Sequence, residues 1–218
     1  MLRPLEGIRV LDLSRILAGP YAAQSLGDLG ANVTKIEAPW GDDTRGWGPP
    51  FQKGFDGEVV ASYFLSCNRG KDIRSGNIKE DKIHLQSLIS ESDIVIENFR
   101  PGTFERHLGP VPKGVILCSI SGYGQNGPRR DEPAFDLTMQ ARSGIMSITG
   151  DADGPPAKVG VAWIDVMTGM NAVSSILAAL YHRERTGEGS RIDISLWDTA
   201  LAALVNQGHN ALAGATPQ

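Results

Sequence analysis

The sequence predicts an α/β fold built on a mainly parallel sheet flanked by helices, and three observations predict it. Residues Ile8-Arg9-Val10-Leu11-Asp12-Leu13 alternate and are bounded by Gly7, the pattern of a short buried strand. Tyr21, Ala22, Leu26 and Leu29 then recur at helical spacing, with Gly30 as a C-terminal stop. Asn32-Val33-Thr34-Lys35-Ile36-Glu37 follows as a second strand. Strands joined through a helix imply a right-handed parallel crossover.

The remaining elements are read in chain order. Residues 38–60, rich in Gly, Pro and Trp, predict a long loop. A helix is expected from Lys79 to Ser90, where Ile83, Leu85, Leu88 and Ile89 are apolar. Strands follow at 93–97 and 115–120, then a glycine-rich loop at 122–128. A helix is expected over 136–148, a turn at 151–156 and a strand over 160–164. Val166 to Arg185 reads as the longest helix, stopped by Gly187; a strand at 192–196 and a helix from Thr199 to Leu212 complete the chain. There is no internal repeat.

With 218 residues, 41% of them hydrophobic, the chain holds enough apolar side chain for a sizeable core. Lys plus Arg number 21 against 25 Asp plus Glu, a net charge of −4. That balance argues against general nucleic-acid binding and leaves room for local anion sites. Cys67 and Cys118 form no disulfide framework and no metal-ligand spacing, so neither a structural metal nor a permanently bound cofactor is expected. Cys118, inside the apolar run 115–120, reads as a buried hydrophobe, and a reducing compartment fits. The opening Met1-Leu2-Arg3-Pro4-Leu5-Glu6-Gly7 shows neither an apolar signal core nor an Arg/Ser-rich presequence. No apolar stretch approaches the roughly 20 residues of a bilayer span. The expectation is therefore a protein of the cytoplasm or mitochondrial matrix, independent of membranes.

The turn after the first strand, Ser14-Arg15-Ile16-Leu17-Ala18-Gly19-Pro20, lacks the Gly-x-Gly-x-x-Gly spacing of dinucleotide binding, and there is no Walker Lys-Ser/Thr. A Gly-x-Ser-x-Gly nucleophile elbow is absent too. His84, His107, His182 and His209 are scattered without ligand spacing. Asp165 is the more informative residue, between the expected strand at 160–164 and the long helix. It reads either as the N-cap of that helix or as a carboxylate nucleophile held at a strand end beside glycines. In both readings the helix N–H groups and dipole hold it ionised.

Several runs, in order along nearly the whole chain, resemble the class III CoA-transferases. They are Pro4 to Leu13, Leu17-Ala18-Gly19-Pro20, Leu26 to Ala31, Gly41-Asp42-Asp43-Thr44-Arg45, Glu97 to Gly102, Ser121 to Gly124, Asp165 to Gly169 and Arg185 to Gly189. The resemblance is greatest to members that move CoA between dicarboxylates, the succinyl-CoA:glutarate type. It implies a Rossmann-like fold, with Asp165 attacking an acyl-CoA thioester to give an aspartyl anhydride and then an aspartyl-CoA thioester. An Asp of depressed pKa would do this at neutral pH without a general base. For CoA the resemblance implies Leu17, Ala18, Lys79, Asn98, Phe99, Arg100 and Arg106, with Phe135 near the thioester. Related racemases carry a histidine at the position of Phe135, ahead of Asp136, so an acyl-CoA racemase is the weaker alternative, and a CoA-binding module without activity the non-enzymatic one.

The chain departs from the family pattern in four places. Asp72 to Gly76 stands where the family has an apolar strand; the stretch from Arg106 to Val115 is short; and Leu17 replaces the glutamine of formyl-CoA transferases, which argues against the oxalate/formate pair. Family members are also longer. The resemblance implies that residues 1–218 are the nucleotide-binding large-domain portion, without the second domain and return segment, of a subunit that interlocks with a second copy as a homodimer. The expected partners are an acyl-CoA and a carboxylate acceptor.

Overall fold

The computed structural model describes residues 2–54 and 57–215. Six strands form one sheet: β1 (Arg9–Asp12), β2 (Asn32–Glu37), β5 (Asp72–Ser75), β6 (Ile94–Glu97), β7 (Ile116–Ser121) and β8 (Arg191–Ser195). They lie in the order β5-β2-β1-β6-β7-β8, every pair parallel. In sequence order of the sheet's own strands that is 3-2-1-4-5-6, the doubly wound arrangement, with its switch point between β1 and β6. A separate antiparallel hairpin, β3 (Phe51–Lys53) with β4 (Val59–Ala61), projects from the connection after β2.

The helices are α1 (Ala18–Asp28), α2 (Ser62–Ser66), α3 (Lys82–Glu91), α4 (Thr103–Leu108), α5 (Asp136–Ser143), α6 (Trp163–Thr186), α7 (Leu196–Ala202) and α8 (Val205–Leu212). Successive side chains of a strand point to opposite faces, and the sheet accordingly feeds two cores. Val10, Ile94, Ile96, Ile116 and Cys118 join residues of α1, α5, α6 and α7 on one face. Leu11, Val95 and Leu117 join Leu85 and Ile89 of α3 and Phe104 and Leu108 of α4 on the other. Cys118 is the buried hydrophobe expected of it, and burial pushes its thiol up to about 12.

Several expectations are corrected. The loop at 38–60 contains a 3-10 turn (Asp43–Gly46) and both hairpin strands, although Phe55 and Asp56 lie outside the described residues. Helix α1 begins at Ala18, because Pro20 is well placed in a first helical turn. The departing segment at 72–75 is a strand after all: its backbone pairs with β2 although all four side chains are exposed. Helix 136–148 breaks at Gly144, where φ is +90°, into α5 and a 3-10 turn. Helix 199–212 is two helices starting at Leu196, and Val205, with φ +47°, marks the break.

The expected strand at 160–164 does not form. Side chains of α5 take backbone donors at its two ends: Val159 N–H, just before it, donates to Gln140 Oε1 (2.8 Å) and Ile164 N–H to Asp136 Oδ1 (2.6 Å). Helix α6 starts at Trp163, so Asp165 lies inside its first turn and Ala162, not Asp165, is the N-cap. An 18-residue window of α6 has mean hydropathy 1.3, so by length and composition alone this helix could cross a bilayer, contrary to expectation. Core packing accounts for that character: Ile164, Ala172 and Ile176 recur at helical spacing and are fully buried beside α1 and the sheet.

Candidate active site

The site forms at the carboxyl ends of β1, β6 and β7, where the first loop crosses the switch point. Residues 14–17 carry no glycine, yet Ile16 has φ +70°, a conformation costly for a β-branched residue. Neighbouring side chains hold it there. Ile16 N–H donates to Asp42 Oδ2 (3.2 Å), and Lys35 Nζ donates to both Ser14 C=O (2.7 Å) and Asp42 Oδ2 (3.1 Å). Asn98 brackets Arg15 from the other side: its Oδ1 accepts Arg15 N–H (3.0 Å) and its Nδ2 donates to Arg15 C=O (2.8 Å). Asn98, predicted to bind CoA, thus commits its amide to the loop.

Beneath this loop lie four buried charges. Lys35–Asp42 and Lys71–Asp12 are ion pairs at 3.1 and 2.8 Å whose side chains are at most 1% exposed. Burial alone would raise Asp12, but Lys71 and Lys35 outweigh it and hold its carboxyl below the usual range. Lys71 is lowered by burial, with Asp12 opposing. Two more acceptors, Pro20 C=O and Asn68 Oδ1, each 2.9 Å from Lys71 Nζ, complete that ammonium's bonds.

Asp165 reaches the same place from α6. A side chain at Gly169, one turn further on, would sit 2.8 Å from Ala18 C=O and 2.9 Å from Tyr21, so the missing Cβ lets α6 close onto the start of α1. Leu17, the N-cap of α1, makes no side-chain capping bond, and with Ala18, the first residue of the helix, it lines the same cavity as Asp165. Asp136 caps α6 from outside: Oδ1 accepts the N–H groups of Ile164 (2.6 Å) and Asp165 (3.3 Å), and Oδ2 accepts Gln140 Nε2–H (2.6 Å).

The electrostatics of Asp165 are opposite to those expected. Burial, and after it the negative charge of Asp136, push its carboxyl up to about 7. The helix N-terminus was expected to depress it, but the capping bonds there go to Asp136. The same fields reach Tyr63 on α2, which burial, followed by the charge of Asp165, raises to about 12. No sequence signal pointed to Tyr63.

A cavity of about 250 Å³ gathers seven of the nine predicted residues: Leu17, Ala18, Asn98, Phe99, Arg100, Phe135 and Asp165. Lys79 is elsewhere, in the turn before α3, lining a second cavity of about 640 Å³ with Trp40 and Thr103. The two cavities share Arg15, Asn98, Phe99 and Arg100, so they are adjoining compartments of one cleft. Arg106 is exposed on α4 and lines neither. Among the described residues neither Arg100 nor Lys79 has an ion-pair partner, which leaves both cations for an anionic ligand. Sequence reasoning named neither Arg15, which falls between two of the motif runs, nor Ser121, which opens the run Ser121 to Gly124, as a site residue; both line the smaller compartment.

The site is thus a cleft at the switch point of a doubly wound α/β sheet, with two unpaired cations along it and a protonatable carboxylate at one end. Comparison with known sequences makes this specific: the chain belongs to CoA-transferase family III, whose profile matches residues 5–218. It is 46% identical over 224 residues to a succinate–glutarate CoA-transferase of Agrobacterium fabrum, covering 98% of this chain and 56% of the relative. It is 44% identical to a succinyl-CoA:glutarate CoA-transferase of Mus musculus, covering 98% of this chain and 50% of the relative. The chain thus spans about half the length of the curated relatives it matches. The crystal structure of a CaiB/BaiF family protein from Brucella suis superposes with a TM-score of 0.95 at 43% identity, over 100% of this chain and 60% of that one.

Proposed function

We propose that this chain carries the CoA-binding and nucleophilic half-site of a CoA-transferase that moves CoA from a dicarboxylyl-CoA, such as succinyl-CoA, to a carboxylate acceptor. The observation that carries the proposal is the convergence of Asp165 with Leu17, Ala18 and Phe135 in one compartment that adjoins a second one lined by the unpaired Lys79 and Arg100. The chemistry follows from that placement. The ionised Asp165 attacks the thioester carbonyl carbon, forming a C–O bond; the C–S bond then breaks and CoA leaves as its thiolate, giving an aspartyl anhydride. The thiolate returns to the aspartyl carbonyl, releases the donor carboxylate and leaves an aspartyl-CoA thioester. The acceptor carboxylate repeats both steps in reverse. Each step exchanges one anion for another, thiolate or carboxylate, and the overall exchange is carboxylate for carboxylate, so no net proton is consumed. A carboxyl poised at about 7 is partly ionised at neutral pH and more basic than an ordinary Asp, hence a better nucleophile when ionised.

Lys79 and Arg100, with Phe99 between the compartments, have the chemistry to receive the phosphates and adenine of CoA. Phe135 has no exchangeable proton where a racemase needs one, which weighs against epimerisation. Homodimer formation belongs to the same proposal. The exposed Met170, Leu177 and Tyr181, on one side of α6, support a surface that a second subunit covers, and sedimentation tests it. The decisive experiment is incubation with succinyl-CoA and labelled glutarate, together with hydroxylamine trapping. Label transfer and an acyl adduct on Asp165 are expected. Tight CoA binding with no label transfer would instead identify a binding module.

A further inference from the structure

Ser121 ends β7 directly opposite Ser195, which ends β8. The two hydroxyls have different surroundings. Ser195 Oγ accepts the N–H of Asp198 (2.9 Å) and donates to Asp198 Oδ2 (2.6 Å), capping α7. Ser121 is 9% exposed, and among the described residues its Oγ has no hydrogen-bond partner. A buried unpaired hydroxyl is a standing cost that native proteins rarely carry without a reason. An alanine would fill the same space without that cost.

Ser121 lines the compartment of Asp165 and Phe135. The backbone around it is anchored. Gly122 C=O accepts Trp197 N–H (3.0 Å), and Ala134 packs where a side chain at Gly122 would go, so the strand end is held against the loop that carries Phe135. Ser121 is therefore an unsatisfied donor on an anchored backbone in the wall of the compartment in which a thioester would meet Asp165; its Oγ has almost no accessible surface as it stands, and rotation about the Cα–Cβ bond brings it to a ligand.

We propose that Ser121 is a substrate-contacting catalytic residue whose hydroxyl donates a hydrogen bond to the acyl carbonyl oxygen of the CoA thioester. This rests on the reading of Asp165 as nucleophile. When an Asp165 oxygen bonds to the carbonyl carbon, the C=O electron pair moves onto the carbonyl oxygen; when the C–S bond breaks, that pair re-forms C=O and sulfur leaves as thiolate. Ser121 keeps its proton throughout and stabilises the oxygen while it is negative. Free CoA has no acyl oxygen, so Ser121 adds nothing to its binding.

The test compares Ser121→Ala and Ser121→Thr. In an Asp165→Asn background, where no anhydride forms, calorimetry reads the affinities for succinyl-CoA and for CoA. Ser121→Ala should weaken succinyl-CoA about 5-fold, the size of one neutral hydrogen bond, and leave CoA unchanged, with Ser121→Thr restoring the difference. With Asp165 intact, Ser121→Ala should lower kcat on the order of 100-fold while KM rises by no more than about 5-fold, the loss of binding. Equal weakening of both ligands, or of neither, overturns the proposal. Failure of the unsubstituted protein to move label from succinyl-CoA to glutarate would refute the transferase reading, and the binding comparison would still judge Ser121.

Discussion

The two walls of the cleft bury carboxylates in opposite ways. Under the 14–17 loop, Asp12 and Asp42 each face a buried ammonium, and every strong donor there has an acceptor. Across the cleft, Asp165 faces Asp136 and no cation, and its carboxyl rises to about 7. Pairing makes the first wall rigid: it holds Ile16 at a positive φ and so presents Leu17 and Ala18. The second wall keeps a carboxyl in a setting that disfavours its charge, a cost that makes sense only where the charge is used. The same residue type thus builds one wall and, in the proposed mechanism, reacts on the other.

The largest effect that would break this contrast is on activity. Asp165→Ala should abolish label transfer and hydroxylamine-trapped adduct, while CoA binding persists; residual transfer near the unsubstituted rate would place the nucleophile elsewhere. Next in size is stability on the paired wall. Lys35→Met leaves Asp42 buried without its cation and should cost about 3–5 kcal/mol in chemical denaturation.

A smaller effect sharpens the electrostatics of the reactive wall. The pH profile of kcat/KM should rise through about 7 as Asp165 ionises. Asp136→Asn should move that midpoint down but not to the ordinary Asp value, because burial is the larger cause and remains. An unmoved midpoint would remove Asp136 as a cause.

The last effect is a stability change of the opposite sign to that of Lys35→Met. A carboxyl raised from 3.8 to about 7 on folding costs nothing below pH 4, and its cost grows as pH rises toward 7 and is complete above it. Asp165→Asn removes that cost, so its Tm should exceed that of the unsubstituted protein at pH 8.5, and the gap should shrink toward pH 5. Glu97, also raised to about 7 by burial, titrates in both proteins and cancels in the difference.

The sequence revealed the parts of the fold whose pattern is local. Strands β1, β2, β6 and β7 are apolar runs, and α6 carries a long helical repeat with a glycine stop. Strand β5 left no pattern because its four side chains are all exposed and its order comes from backbone bonds to β2. Helix α4 is six residues long, too short for periodicity to show. At the site, motif order located Asp165 and its surroundings. Its charge state was misjudged because it depends on Asp136, which arrives from another helix, and on burial that no spacing reports. The apolar 160–164 run misled for the same reason: side chains from α5 take the backbone donors that flank or end it, Gln140 that of Val159 and Asp136 that of Ile164.

Gly169 has a mechanical consequence as well. Two helices that begin at the same cleft are spaced by the absence of one methyl group, since an added Cβ would press on Ala18 C=O and the Tyr21 ring. That hydrogen atom acts as a spacer of minimum thickness. Any thicker one would wedge the start of α1 away from Asp165 and widen the gap that a thioester must bridge.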